Sequence, residues 1–157
     1  MEKVKLPVNK GIYLVLELIK EVSLCREMGV STSWMYKRRN KSIIRNYRFD
    51  FSKEDVRLLN EAIWRMAKRI ESVEIVYNAD RQCMIEQIRQ HLSEIKMPYI
   101  YQIRMKKQDW WWKARMMNSD ASGSKRIFGE EDIWQINLAA KEIAARLLSI
   151  ELIPECD

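Results

Sequence analysis

The stretch FSKEDVRLLNEAIWRMAKRIESVEIV, residues 51–76, decides the fold because it recurs as FGEEDIWQINLAAKEIAARLLSIELI at residues 128–153. The two stretches align without a gap, and nine of their 26 positions are identical. The identical pairs are Phe51/Phe128, Glu54/Glu131, Asp55/Asp132, Asn60/Asn137, Ala62/Ala139, Ala67/Ala144, Arg69/Arg146, Ser72/Ser149 and Glu74/Glu151. Self-similarity over this length predicts two diverged copies of one unit, with a boundary near residues 78–80.

Each stretch is predicted to form a long amphipathic helix. Ser52 suits the N-cap of the first helix, and acidic residues follow in the first turn of both. Apolar residues then recur at spacings of three and four, which places them along one side of a helix. They are Val56, Leu59, Ile63, Met66, Ile70 and Val73 in the first, and Ile133, Ile136, Ala140, Ile143, Leu147 and Ile150 in the second. Each stripe is expected to pack within its own unit, or else the two stripes pack together as a pseudo-dimer.

A weaker match extends upstream, one residue out of step. It places Lys20 on Lys96, Trp34 on Trp110, Lys37 on Lys113 and Arg39 on Arg115. Because the order and the spacing are kept, the whole chain is interpreted as a first repeat, residues 1–78, and a second, degenerate repeat, residues 79–157.

The charge of the protein is concentrated in its first half. The net charge is +6; residues 1–78 carry 16 Lys and Arg against 10 Asp and Glu, whereas residues 79–157 carry 12 of each. The run KRRNKSIIRNYR, residues 37–48, holds six basic residues and no acidic one. Such a run favours an anionic partner, although a solvated basic face is the alternative.

Composition argues against several other classes of protein. No apolar run approaches the length of a membrane span, so a soluble, cytoplasmic protein without a membrane partner is expected. Three scattered cysteines and a single histidine, His91, predict neither a disulfide framework nor a metal site. No phosphate-binding loop and no catalytic constellation appears, so we expect no catalytic residue, no cofactor and no enzyme activity.

The stretch EVSLCREMGVSTSWMYKRRN, residues 21–40, carries the functional prediction. Two short helices that cross need a small residue where they approach and a turn residue that tolerates positive φ. Cys25 and Gly29 meet those needs, and Ser31 or Thr32 can cap the second helix. The buried positions would be Leu24, Met28, Val30 and Met35.

The stretch resembles the bacterial and phage helix-turn-helix motif. Its continuation, a loop and then a Phe-Ser-x-Glu-Asp helix, resembles small uncharacterised helix-turn-helix proteins of phage and mobile-element type over about 55 residues, here in tandem duplicate. The resemblance implies a DNA-binding protein, of the kind that serves as a transcriptional regulator in a mobile element. The predicted fold is therefore all-α: two diverged copies of a helix-turn-helix-containing helical unit, each ending in a long amphipathic helix.

In the helix-turn-helix motif the second helix enters the major groove of double-stranded DNA. Carried onto this sequence, its outward residues are Ser31, Thr32, Ser33, Tyr36, Lys37 and Asn40, of which Lys37 and Asn40 suit a base edge. The residues expected to follow the DNA backbone are Arg38, Arg39, Lys41, Arg45 and Arg48. Arg38 departs from the motif, because an apolar residue usually stands there. The loop from Lys41 to Phe51 is long enough for a small wing or a strand-like arm.

The second repeat departs further from the motif. Tyr101 replaces Cys25, Met105 replaces Gly29 and Lys106 replaces Val30, so the tight turn is expected to lose its requirements. Pro98 can still start a helix. A related helical arrangement with a changed surface is expected, serving as an internal partner of the first repeat.

Three successive tryptophans, Trp110, Trp111 and Trp112, mark the second repeat. Successive helical residues step by about 100°, so three rings cannot all face one narrow core stripe. At least one is expected at a surface. The triplet gives the alternative function, a protein-protein interaction module in which this patch binds a protein partner or a second copy of the chain. Stacking on single-stranded nucleic acid is a lesser alternative.

Overall fold

The computed structural model describes residues 2–117 and 126–155, and seven α-helices and four short strands lie within them. The helices are α1 Val8–Leu18, α2 Glu21–Met28, α3 Thr32–Arg39, α4 Lys53–Glu71, α5 Arg81–His91, α6 Asp109–Met116 and α7 Glu130–Leu148. The strands are β1 Val4–Pro7, β2 Ile43–Ile44, β3 Tyr47–Arg48 and β4 Ile150–Ile153. A π-helical segment, Tyr99–Arg104, lies between α5 and α6.

The predicted all-α class is wrong, because the chain is mostly helical but contains two small sheets. Strand β1 pairs with β4 in parallel, and β2 pairs with β3 as an antiparallel hairpin. The apolar stripe misled the prediction, since α7 ends at Leu148 and Ile150 belongs to a strand instead of a last helical turn. Nor does the structure show a duplication; it shows a set of contacts that recur along the chain.

Helices α4 and α7 pack against each other at the centre of the protein. Their apolar stripes are buried, with Leu59 and Met66 in α4 and Ile136 and Ile143 in α7 fully covered. Both helices begin with an acid that bonds back to the residue before the helix: Asp55 accepts from the Ser52 amide at 2.9 Å, and Asp132 accepts from the Gly129 amide at 2.8 Å. The two stripes therefore pack against each other in one core.

Two asparagines reach across this core in a reciprocal way. The Asn60 carboxamide accepts from the Leu152 amide at 2.9 Å and donates to the Leu152 carbonyl at 2.8 Å. The Asn137 carboxamide makes the same two bonds, both 2.8 Å, with the backbone of Ile75. Asn137 and Leu152 lie 77 positions after Asn60 and Ile75 respectively. Each long helix thus holds the extended segment that follows the other; we call this pair of interactions the carboxamide clasp.

Another backbone contact has the same reciprocal form. Ile19 and Ile95 form an isolated antiparallel bridge. On either side of it the Lys20 amide donates to Glu94 and the Lys96 amide donates to Leu18, at 2.9 and 3.0 Å. In a two-fold arrangement residue i contacts residue j while j contacts i. The bridge and the clasp therefore share one reciprocal pattern of backbone contacts.

Replacing Asn60 with Ala should destabilise the protein by about 2 kcal/mol, because the amide and the carbonyl of the buried Leu152 both lose their partner. Asn137→Ala should cost a similar amount at Ile75, and Asn60→Asp should keep only the accepting half of its pair. The free energy of unfolding in urea measures this. Gln90→Ala, at an exposed position of α5, is the control, and an Asn60→Ala protein as stable as this control would contradict the role of the clasp.

Glu27 at the end of α2 ties that helix to α4. Its carboxylate accepts two hydrogen bonds of 2.9 Å from Arg69 and one of 3.0 Å from Arg65, and Arg69 also pairs with Glu94. The bonds from Arg69, followed by those from Arg65, outweigh the desolvation of the carboxylate and lower the pKa of Glu27. A lowered pKa in the folded state stabilises fully above the unfolded value of about 4.3, and this stabilisation is lost as the pH falls through the folded value.

Glu27→Gln should therefore lower stability at pH 7 by about 1 kcal/mol, and the gap to the wild type should close as the pH falls below about 4. Urea midpoints at pH 7 and pH 3 measure both effects. Glu71→Gln, in an exposed pair with Lys68, should change stability little at either pH. An equal gap at both pH values would contradict the assignment to Glu27 ionisation.

Candidate nucleic-acid interface

Helices α2 and α3 are short and are joined by a sharp bend, as the sequence of residues 21–40 predicts. Gly29 ends α2 in the left-handed conformation, with φ 74°. Ser31 caps α3, its hydroxyl accepting from the Trp34 amide at 3.0 Å. Cys25 is buried where the helices meet, and burial, with a smaller contribution from Glu21, raises the pKa of its thiol to about 11. This thiol stays protonated at neutral pH and acts as a small packing group.

The outward face of α3 begins with exposed hydroxyl groups. Ser31, Thr32 and Ser33 are exposed at its N-terminal end, and Tyr36 is 57% exposed one turn later. Asn40 follows the helix; its amide nitrogen donates to the Tyr36 carbonyl at 2.9 Å, which leaves its carboxamide oxygen as the group available to a partner. The face offers hydrogen-bonding groups to a ligand at its N-terminal end.

Arg38, which is predicted to follow the DNA backbone, packs inward against this protein's own side chains. Its guanidinium lies 4.1 Å from the centroid of Trp34, donates to the Trp34 carbonyl at 3.2 Å, and pairs with Asp55 at 3.6 Å. Only 18% of the side chain is exposed. Arg38 thus occupies the motif's usual apolar position by lying flat on a tryptophan.

Arg39 and Lys37 are also drawn into the protein. Arg39, also predicted to follow the DNA backbone, pairs with Glu21 at 3.2 Å and has 20% of its side chain exposed. The ammonium of Lys37 lies 5.2 Å from the centroid of Phe49, and the residue is half-buried. The base-edge role predicted for Lys37 would require it to leave this ring.

The loop after α3 forms an exposed two-stranded hairpin, residues 43–48. Ile43 pairs with Arg48 and Ile44 with Tyr47, and Arg45 and Asn46 make the turn with φ 53° and 67°. A turn with positive φ at both central residues matches the right-handed twist of the two strands that it joins. Its side chains are unusually exposed for their type, 70% for Ile43 and 63% for Tyr47. The predicted wing is present. The prediction considered the basic residues of this run and did not indicate that its apolar side chains are exposed.

The six cations of residues 37–48 divide into two groups. Arg38, Arg39 and Arg48 have carboxylate partners, and the Arg48–Asp50 pair of 3.2 Å is half exposed. Within residues 2–117 and 126–155, Lys37, Lys41 and Arg45 have no carboxylate within 4.0 Å. Lys41 and Arg45 are exposed, at either end of β2. Of the charge of residues 37–48, the part left exposed without a carboxylate partner therefore lies at the hairpin.

The tryptophan triplet does not form a patch of three exposed rings. Trp111 is buried against Phe128, and Trp112 stacks on Tyr101 with centroids 5.0 Å apart and planes 10° apart. Trp110 is 56% exposed. The expectation that at least one ring reaches the surface is confirmed by Trp110.

The contacts around Trp111 match those around Trp34. Arg115 lies 4.1 Å from the Trp111 centroid and donates to its carbonyl at 3.1 Å, as Arg38 does with Trp34. The edge contact of Trp111 with Phe128 is 5.8 Å, and that of Trp34 with Phe51 is 5.9 Å. Trp34 and Trp111, 77 positions apart, therefore have the same kind of surroundings, whereas the sequence alignment placed Trp34 on Trp110.

A bend also precedes α6. The bend before α6 is present, contrary to expectation, and Lys106 takes its left-handed conformation with φ 60°. The preceding segment Tyr99–Arg104 is π-helical, with the Met105 amide donating to Ile100 five residues earlier. A π-helical turn accommodates one residue more than an α-helical turn. The bridge between Ile19 and Ile95, which precedes this π-helical turn, joins residues 76 positions apart.

The described residues were also searched for metal ligands and for membrane-spanning helices. Residues 2–117 and 126–155 contain no cluster of three or more His, Cys, Asp or Glu suited to a metal ion. In the same part of the chain, no helix combines the length and apolar character needed to cross a membrane. Cys25 and Cys83 are free thiols, and Cys156 lies outside the described residues.

No protein-family model matches the chain, and neither a curated protein nor a solved structure is significantly similar to it. The site must accordingly be interpreted from its own geometry. Sequence reasoning found the two helices and their polar face, but it assigned Arg38 and Arg39 to the partner and missed Ile43 and Tyr47. The sequence signal for the hairpin was a pair of residues that favour strands, Ile43 and Ile44, separated from Tyr47 by a turn that contains Asn46.

Arg38→Lys should destabilise the protein by about 1 kcal/mol, because an ammonium group cannot lie flat on Trp34 and bond Asp55 in the same way. Arg115→Lys should behave alike at Trp111. Thermal unfolding measures both. Arg57→Lys, at an exposed ion pair of α4, is the matched control, and no difference between Arg38→Lys and this control would contradict the structural role.

Proposed function

We propose that the protein is a cytoplasmic, non-catalytic DNA-binding protein that contacts a duplex through α3 and the hairpin, as a regulator from a mobile element does. The observation that carries the proposal is the pairing of the polar N-terminal face of α3 with an adjoining hairpin whose exposed apolar side chains are flanked by Lys41 and Arg45. A helix fits the major groove, and a narrow hairpin fits beside it.

The chemistry of α3 suits the reading of base edges. Thr32, Ser33 and Tyr36 present hydroxyl groups that donate and accept hydrogen bonds, and the free oxygen of Asn40 accepts. Ser31 is committed to capping the helix, and the first amides of α3 add the positive end of the helix dipole. We propose Ser33 and Tyr36 as the residues that discriminate sequence, because both are exposed and lie one turn apart on the same side.

The hairpin supplies affinity that depends less on sequence. Lys41 and Arg45 lack a carboxylate partner within the described residues and are free to bind phosphates. Ile43 and Tyr47 lie beside them, where burial against the sugar and base edges of a groove would remove a large apolar area from water. Large apolar groups left in water at a hairpin tip favour an interface.

Removing the charge of the hairpin should weaken duplex binding and reduce its salt dependence. The variant Lys41→Asn/Arg45→Asn keeps residues that tolerate the left-handed conformation of both positions, so the hairpin should stay folded. The slope of log K against log salt should fall by about 2 in magnitude, one for each phosphate contact. Fluorescence anisotropy with a labelled duplex over a range of salt concentrations measures the slope.

Lys141→Gln removes an exposed cation of α7 and is the control for that experiment. Its slope should equal that of the wild type. The proposal would be contradicted by a wild-type protein that binds no duplex at low salt. An unchanged salt slope in the Lys41→Asn/Arg45→Asn variant would contradict it as well.

Sequence discrimination should depend on α3 in a different way. Tyr36→Phe and Ser33→Ala each remove one hydroxyl group without removing charge, so the salt slope should stay constant. The wild-type protein should prefer a duplex site that it selects from random sequences over a random duplex. Each variant should reduce this preference by about 1 to 3 kcal/mol. Competition binding against both duplexes measures this, and unchanged preference in both variants would exclude α3 as the reading helix.

A further inference from the structure

A second surface lies on and around helix α6. It has the same position relative to α6 that the polar face and its flanking residues have relative to α3. Its centre is Trp110 on the outward side of α6, followed one turn later by the exposed Lys113. Lys106 and Lys107 precede the helix, and the guanidinium of Arg126 lies 5.4 Å from the Trp110 centroid. We call these five residues the α6 surface.

The correspondence between α3 and α6 fixes which residues take equivalent places. Both helices have eight residues, and Asp109–Met116 begins 77 positions after Thr32–Arg39. Since Trp111 and Arg115 repeat the contacts of Trp34 and Arg38, Trp110 stands where Ser33 stands on α3, and Lys113 stands where Tyr36 stands. The α6 surface therefore holds the place of the reading face with different side chains.

The charge of the α6 surface suits an anionic ligand. None of its four cations has a carboxylate within 4.0 Å among residues 2–117 and 126–155. The one acid of α6, Asp109, accepts hydrogen bonds from the Tyr101 hydroxyl at 2.8 Å and from Gln102, and these bonds lower the pKa of its carboxyl group. Four cations against one internally bonded carboxylate leave a net positive surface.

The carboxamide clasp and the Ile19–Ile95 bridge are reciprocal contacts between the part of the chain that carries α3 and the part that carries α6, which is the form that contacts about a two-fold axis take. Two DNA-reading units related in this way meet a duplex in opposite directions, as in dimeric helix-turn-helix proteins, where the symmetry of the site mirrors that of the protein. Here the two reading faces differ, so the two halves of a matching site must also differ.

We infer that the α6 surface is a second duplex-DNA contact, and that the chain binds a bipartite site with two inverted, unlike half-sites. The inference rests on the proposed function of α3. The indole nitrogen of Trp110 already donates to Gln108 at 3.1 Å, so its ring contributes apolar contact while the four cations bind phosphates. The α6 half-site is thus held through backbone and shape, and the α3 half-site through base edges.

The test uses the full chain, a site selected from random duplexes and hydroxyl-radical footprinting. The wild type should protect two regions about one helical turn apart, roughly 10 bp between centres. Trp110→Ala/Lys113→Gln should keep the α3 region, lose the other, and bind the selected site at least tenfold more weakly. Trp134→Ala/Lys141→Gln, which changes an exposed tryptophan and an exposed lysine of α7, should protect both regions.

The outcomes separate this inference from the function on which it rests. A single protected region in the wild type, or an unchanged footprint in the Trp110→Ala/Lys113→Gln variant, overturns the second contact while α3 binding stands. No protection at any salt concentration overturns both. Loss of self-association or of a protein complex in that variant, with an intact footprint, assigns Trp110 to a protein interface and also overturns the inference. Circular dichroism melting confirms that both variants remain folded.

Discussion

The structure depends on a constraint that backbone polarity imposes on the two long helices. The extended segments after α4 and α7 bring backbone amides and carbonyls into an apolar core, where an unpaired group costs about 1–3 kcal/mol. Each segment finds its partner in a carboxamide on the opposite helix, which can accept from an amide and donate to a carbonyl at once. Each half therefore satisfies the other, and α4 and α7 are locked in register.

This register decides how α3 is presented. Helix α2 is tied to α4 by Glu27, and α3 is tied to the start of α4 by Arg38, which lies on Trp34 and pairs with Asp55. Asp55 in turn caps α4 through the Ser52 amide. The polar face of α3 is thus fixed to the same helix that carries the clasp, so this face inherits the rigidity of the core.

The distribution of charge shows how much of a basic sequence is structural. Arg38, Arg39 and Arg48 are neutralised by acids of this chain, and the first two lie on aromatic rings as well. Guanidinium groups suit such places because they are planar and weakly hydrated. Within residues 37–48, the exposed cations without a carboxylate partner are Lys41 and Arg45, which lie next to apolar side chains that neither charge nor periodicity singled out.

The sequence by itself determined the local features: the two long helices and their acidic first turns, the bend at Gly29 and the cap at Ser31, all of which follow from neighbours within a few residues. Only the tertiary structure decided the rest. Ile150 continues a helical stripe by spacing, yet it pairs with Val4 from the start of the chain, because a strand is chosen by a distant partner. The arginines at 38 and 39 turn inward, and Lys106 takes the bend after a π-helical turn, because packing and long-range hydrogen bonds outweigh the local preference of the side chain.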